Sequence, residues 1–190
     1  MTALLFFCAP SCAALAIAKV RDLPIRSGMI KLRCILLVLA LVVPALAQAE
    51  TPDEWIALGT RVHGGFGAFI PLGIRIGLDA MERLNAHPRE LTVTYYDSGA
   101  SPCACFADGI AIATFASPGQ RTLTIAPDKA PDGFAAVAII RPRKGGAGLK
   151  YTIPVSALDT LGSVNAKLDA RGRYDAVMAA DGLFQVEPVE

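Results

Sequence analysis

Soft ligands and charge are both scarce in this chain. Only two histidines and five cysteines occur in 190 residues, and three of those cysteines (Cys8, Cys12, Cys34) stand near the start. Charged residues make up 18% and the formal net charge is +1, which excludes a strongly basic nucleic-acid binder and a polyacidic tail. A hydrophobic share of 53% excludes an intrinsically disordered chain. There is no C-x-x-C pair, no Walker loop and no G-x-S-x-G elbow, so thioredoxin-like, nucleotide-cleaving and serine-hydrolase signatures are all missing. No internal repeat or low-complexity tract is visible.

The mean hydropathy of +0.45 is high for a soluble protein and directs attention to the N-terminus. Cys34 begins an unbroken apolar run that ends at Val43, preceded by basic Lys31 and Arg33 and followed by Ala47-Gln48-Ala49. A basic start, an apolar middle and small residues at alternate positions describe a secretory signal peptide. The run is shorter than the ~20 residues a spanning helix needs, so cleavage after Ala49 is expected over a retained anchor. Residues 1–28 precede the signal proper, and Met29 is the expected true start. We therefore divide the chain into a leader, 1–49, and a single domain, 50–190. The expected location is secreted or periplasmic, with no membrane attachment after cleavage.

Loss of the leader removes five basic residues and one acid, leaving 13 basic against 16 acidic residues and a net charge of −3. A mildly acidic exported domain has no electrostatic claim on nucleic acid. It is long enough to bury a core without disulfides.

Within 50–190, Thr51-Pro52-Asp53-Glu54 reads as a helix start, with the helix running through Leu58. His63-Gly64-Gly65-Phe66-Gly67 reads as a glycine-rich loop. Ile70, Ile74, Leu78, Met81 and Leu84 recur at helical spacing and predict a helix over 69–85, ended by His87-Pro88. Residues 91–96 alternate and predict a strand. A second, more buried helix is expected over 104–115. Strands follow at 123–125 and 134–141, the latter apolar enough for burial on both faces. A hairpin loop at 143–148 returns through a strand at 149–153. The rest is weakly helical from about Val155 and ends in an apolar tail, Leu183-Phe184-Gln185-Val186. Helices first, then strands without regular alternation, indicate an α+β fold with a mainly antiparallel sheet packed against N-terminal helices.

Only Cys103 and Cys105 remain after cleavage, one residue apart. They and Asp108 stand at the start of the second helix, where the helix end favours a thiolate. With His63 they form a soft donor set suited to zinc, iron or copper. The plain alternatives are a buried Cys105 with an incidental Cys103, a first-turn acid at Asp108, and a His63 that caps backbone groups. Gly145-Gly146-Ala147-Gly148 joins strands and is no phosphate loop. Arg141, Arg143 and Lys144 read as a solvated edge.

The order of these pieces resembles the FmdE family, named for the E component of formylmethanofuran dehydrogenase. His63-Gly64, then Gly73 and an apolar helix, match its opening. Cys105-Phe106-Ala107-Asp108-Gly109-Ile110 is similar to its C-x-x-D-A-I block. Thr114, Ser117 and Gly119 fit its T-G-C-T-x-G run, and Asp128, Lys129, Phe134, Arg141, Gly146, Gly148 and Leu149 follow its next hairpin. The resemblance spans 55–155. It implies an α+β domain, often a homodimer, with a role in handling a metal or metal cofactor. Departures are specific. Gly65 and Gly67 replace the second histidine and the cysteine of the family's H-G-H-x-C-P-G opening, with Phe69 at its later glycine. Phe115 and Ala116 stand where its T-G-C-T run has Gly and Cys. Cys103 occupies a position that is usually acidic or polar.

These observations define the expectation: a metal-binding carrier, sensor or accessory domain, with His63, Cys103, Cys105 and Asp108 as candidate ligands. Loss of family ligands argues against catalysis, and no catalytic residue is assigned. Two alternatives stand beside it. One is a redox enzyme using Cys103 and Cys105. The other is a module that binds an organic ligand or a protein, with an apolar pocket near Phe66, Phe69 and Phe115.

Overall fold

The computed structural model describes residues 50–190. The leader, its cleavage point and the Met29 start lie outside the described residues. Element order is α1 (Pro52–His63), α2 (Phe69–Arg83), β1 (Leu91–Asp97), α3 (Cys105–Thr114), β2 (Leu123–Ile125), β3 (Phe134–Pro142), β4 (Gly148–Pro154), α4 (Ala157–Lys167), α5 (Ala170–Ala179) and β5 (Gln185–Val189). Strand order in the single sheet is β2-β1-β3-β4-β5. β3 pairs antiparallel with β1 and β4, and β4 with β5. Only β2 runs parallel to its neighbour, β1. The α+β class and the mainly antiparallel sheet are thus as expected. Among the described residues no helix is long and apolar enough to cross a membrane.

The packing is layered. One face of α2 (Leu72, Ile76, Ala80) and Phe106 and Ile110 of α3 form a core with Leu91, Val93 and Tyr95 of β1, Ala138 and Ile140 of β3, and Tyr151 and Ile153 of β4. The opposite faces, with Ile70 and Ile74 from α2 and Cys105, Ile112 and Ala113 from α3, form a second core with Trp55 and Tyr174. The helix pair α2/α3 is therefore sandwiched between the sheet and α1. That explains why α3 is apolar nearly all round, as a helix buried on both sides must be.

Four boundaries differ from the sequence reading. α1 continues past Leu58 to His63, although Gly59, Thr60 and Val62 are poor helix formers. Gly59 is required there: a Cβ would lie 2.6 Å from the Phe66 ring, so tertiary packing overrides propensity. α2 stops at Arg83, before His87-Pro88, and Leu84 caps it. The segment after Val155 resolves into two helices, the second capped by the Asp169 side chain. The apolar tail becomes an edge strand, with Pro188 opposite Leu149. An edge strand tolerates proline because one side of it makes no ladder bonds.

The C-terminal half pins the rest. Arg75 donates to the carbonyls of Val177 and Ala180 and lies over the Phe184 ring. The Tyr151 hydroxyl donates to Asp79 Oδ2 at 2.6 Å. Burial first, then that hydrogen bond, raises the Tyr151 pKa, so the phenol stays protonated.

α1 begins with a complete capping box. Thr51 Oγ1 accepts from the Glu54 amide, and the Glu54 carboxylate accepts from the Thr51 amide. Thr51→Ala removes the side-chain half of it. We expect a loss of about 1 kcal/mol, read as a fall of roughly 3 °C in the thermal midpoint. An unchanged midpoint would show that burial of Trp55 alone fixes the start of α1.

Candidate metal centre

Parallel strands cannot be joined by a tight turn, and α3 is the crossover between β1 and β2. Its N-terminus consequently lies beyond the C-terminal end of β1. The intervening loop is held by short polar links. The Ser98 hydroxyl donates to the Ala135 carbonyl at 2.7 Å and accepts from the Ala100 amide at 3.1 Å. Buried Ser101 donates to the Cys103 carbonyl at 2.8 Å. Cys103 and Cys105 are thus presented at the mouth of the helix, Cys105 buried against α1 and α2 and Cys103 half-buried beside it.

His63 reaches this point from the other direction. It occupies the last turn of α1, not a loop. Gly64 follows in the left-handed region (φ 86°) and its amide caps the Thr60 carbonyl, a helix ending that suits glycine. The loop after it is tied down by the C-terminal helices. Asn165 Oδ1 accepts from the Ala68 amide at 3.2 Å, and Arg173 donates to the carbonyls of Phe66 and Asn165.

The result is a cluster. Single donor atoms of His63, Cys103 and Cys105 lie within 4.8 Å of one another. Asp108, one turn into α3, places Oδ2 2.7 Å from His63 Nδ1. A carboxylate only accepts, so Nδ1 carries the proton and Nε2 keeps its lone pair. Nε2 lies 3.7 Å from Cys103 Sγ. This is the arrangement by which a carboxylate orients a ligating imidazole. The structure joins Cys103 to Cys105 as a disulfide across Ala104, with Cα atoms 5.2 Å apart. Its two-electron, two-proton reduction yields two thiols facing the imidazole. One neutral imidazole and two thiols, with a carboxylate behind the imidazole, are a donor set that fits a borderline-soft metal ion.

The organic-ligand alternative placed Phe66, Phe69 and Phe115 together. The structure separates them. Phe66 is buried in the second core, and Phe69 packs edge-on against Phe106 at 5.3 Å between ring centroids. Phe115 lies past the opposite end of α3 from Cys105. No pocket joins the three among the described residues, because two are filling the core.

Comparison with known proteins bears on this geometry directly. The family model described as "FmdE, Molybdenum formylmethanofuran dehydrogenase operon" matches residues 62–179, more than half of the chain. The chain belongs to the FmdE family. The matched segment begins one residue before His63 and includes Cys103, Cys105 and Asp108. Among solved structures, an FmdE-like protein of tungsten formylmethanofuran dehydrogenase from Syntrophus aciditrophicus is similar at a TM-score of 0.51 and 16% identity. The likeness covers 75% of this chain and 73% of that one. At that identity it supports the α+β FmdE-like fold alone. No curated protein matches the sequence.

Residue by residue, the FmdE opening is altered in a way the structure clarifies. Gly65 and Gly67, at the family's second histidine and its cysteine, bring no side-chain donor near His63. Cys103, which the sequence places at an ordinarily polar position, supplies a thiol from the α3 side instead. No sequence pattern within 50–190 links His63 to Cys103. The signal is the shared order of blocks, and the contact itself appears only in three dimensions.

Proposed function

We propose that this FmdE-family domain binds a transition-metal ion, or a small metal-containing cofactor, through His63, Cys103 and Cys105, and acts outside the cytoplasm as a carrier, sensor or accessory factor. The observation that carries this reading is the convergence of three donor atoms within 4.8 Å, with Asp108 bonded to the far nitrogen of the imidazole. Two thiolates and an imidazole favour zinc, copper(I) or iron. Three protein donors leave four-coordinate binding short by one, which suits an ion that is passed on or that meets a further ligand. Both thiols must be reduced and deprotonated to bind, so loading requires a dithiol and releases protons.

The Cys103–Cys105 bond also favours a second reading, a thiol–disulfide redox protein. One experiment separates them. The purified protein is reduced, reconstituted anaerobically with zinc, desalted, and measured for metal and for thiols open to alkylation. About one ion per chain with both thiols protected supports the metal reading. Two freely alkylated thiols and no retained metal would overturn it and leave the redox reading.

A further inference from the structure

A second feature, independent of the metal cluster, lies along the seam between α1 and the end of α3. A groove of about 350 Å³ is floored by Leu58, Val62, Ile112 and Phe115. Val62 is 56% exposed and Phe115 36%, an apolar strip open to solvent. The ionisable side chains lining the groove are Arg61 and Arg89. Among the described residues no carboxylate comes within ion-pairing distance of either. The Arg89 guanidinium sits 5.2 Å above the centroid of the Phe115 ring, a cation–π contact.

The backbone is strained at this point. Phe115 has φ 55° and Arg89 has φ 74°, both in the left-handed region that bulky L-residues avoid. The two are locked together: the Arg89 amide donates to the Thr114 carbonyl at 2.8 Å. The same residue thereby caps α3 and lays its guanidinium over the ring. Strained residues that clamp one another cluster where a ligand is held. The family's T-G-C-T run has glycine at position 115, which would take this backbone without strain. Here a phenylalanine accepts the strain and turns an aromatic face to the groove.

We propose that this groove binds a small organic anion with a flat apolar body, the ring system resting on Phe115, Leu58 and Ile112 and the acidic group held by Arg61 and Arg89. The volume falls within the range of small-molecule sites, roughly 300–1,000 Å³. Charge complementarity fixes the class of ligand, since both charged groups at the rim are guanidiniums without partners and prefer carboxylate or sulfonate oxygens.

The test uses the purified protein, a fluorescent aromatic sulfonate (anilinonaphthalene sulfonate) and its uncharged ring analogue (phenylnaphthylamine). We expect one saturable sulfonate site per chain. Arg61→Gln and Arg89→Gln should each weaken it roughly tenfold, as expected for loss of a charge-assisted contact. Phe115→Gly should abolish it while the variant melts no lower than the parent protein, because glycine relieves the left-handed backbone. Equal uptake of the uncharged analogue, or sulfonate binding indifferent to these three substitutions, would overturn the proposal. So would a dimer in sedimentation velocity that excludes the probe and dissociates on Phe115→Gly, since the groove would then be a contact between copies. The titration is repeated after chelation. Retained sulfonate binding by a metal-free protein supports the groove whatever becomes of the metal reading.

Discussion

Single substitutions at the cluster should empty it in graded fashion. His63→Ala, Cys103→Ser and Cys105→Ser each remove one of three donors, and each should lower metal affinity by more than ~100-fold, beyond the effect of losing a supporting group. Asp108→Asn should behave differently. Its amide can still lie against Nδ1 but is a weaker acceptor for the imidazole proton, so a loss of roughly 10–100-fold is expected with the full complement of donors in place. The grading separates ligand from support. If Asp108→Asn emptied the site as fully as His63→Ala, the aspartate would be a direct ligand. Folding controls matter most at Cys105, which is buried among Trp55, Ile70 and Ile112. Serine nearly preserves its volume, so the metal-free variant should melt within a few degrees of the metal-free parent. His63 is only partly buried, and its alanine variant should melt like the parent without metal. Zinc added to the reduced parent should raise the midpoint, since a ligand that binds only the folded state stabilises it. The same zinc should leave all three donor variants where they were. Metal content equal to the parent in both His63→Ala and Cys105→Ser would defeat the assignment.

The fold was readable in the sequence wherever periodicity was strong. Ile70, Ile74 and Leu78 gave α2, alternation gave β1, and the spacing of turns gave the β3–β4 hairpin. It was less readable where tertiary contact overruled local preference. Gly59, Thr60 and Val62 suggested that α1 had ended, yet the Phe66 ring against Gly59 holds the helix together to His63. β5 was hidden because an edge strand with one buried face and a proline carries little pattern. For the candidate site, three of the four residues stand together in sequence at a helix start. The fourth, His63, is 45 positions from Asp108, and no local rule connects them. The groove was the least visible. It depends on two arginines, on separate elements, meeting a phenylalanine whose left-handed backbone no periodicity announces.

The largest stability effect should come from Gly73 and Gly109, and it bears on why the cluster forms at all. At this point α2 and α3 cross with their backbones in contact. A Cβ built on Gly73 would strike the Phe106 carbonyl oxygen and lie 2.8 Å from Gly109 Cα. One built on Gly109 would strike the Ile70 carbonyl oxygen and lie 2.8 Å from Gly73 Cα. These obstacles are backbone, so no rotamer change removes them. Elsewhere in a helix Gly→Ala stabilises by up to ~1 kcal/mol. Here the sign should reverse, and either substitution should cost roughly 3 kcal/mol or more, as overpacking of a closed core does. The neighbouring Gly77, which faces the movable Ala113 methyl at 2.7 Å, should cost less. The crossing also sets how deeply the start of α3 sits. Any variant that still folds must push α3 away from α2, and Cys105 and Asp108 move with it while His63 stays on α1. Gly73→Ala should therefore lower the midpoint sharply in a thermal melt and, at a temperature where the protein remains folded, weaken zinc binding although no donor has changed. A Gly73→Ala protein as stable as the parent would mean that the two helices can separate freely. The close crossing could then no longer explain how imidazole, thiols and carboxylate are brought within reach of one ion.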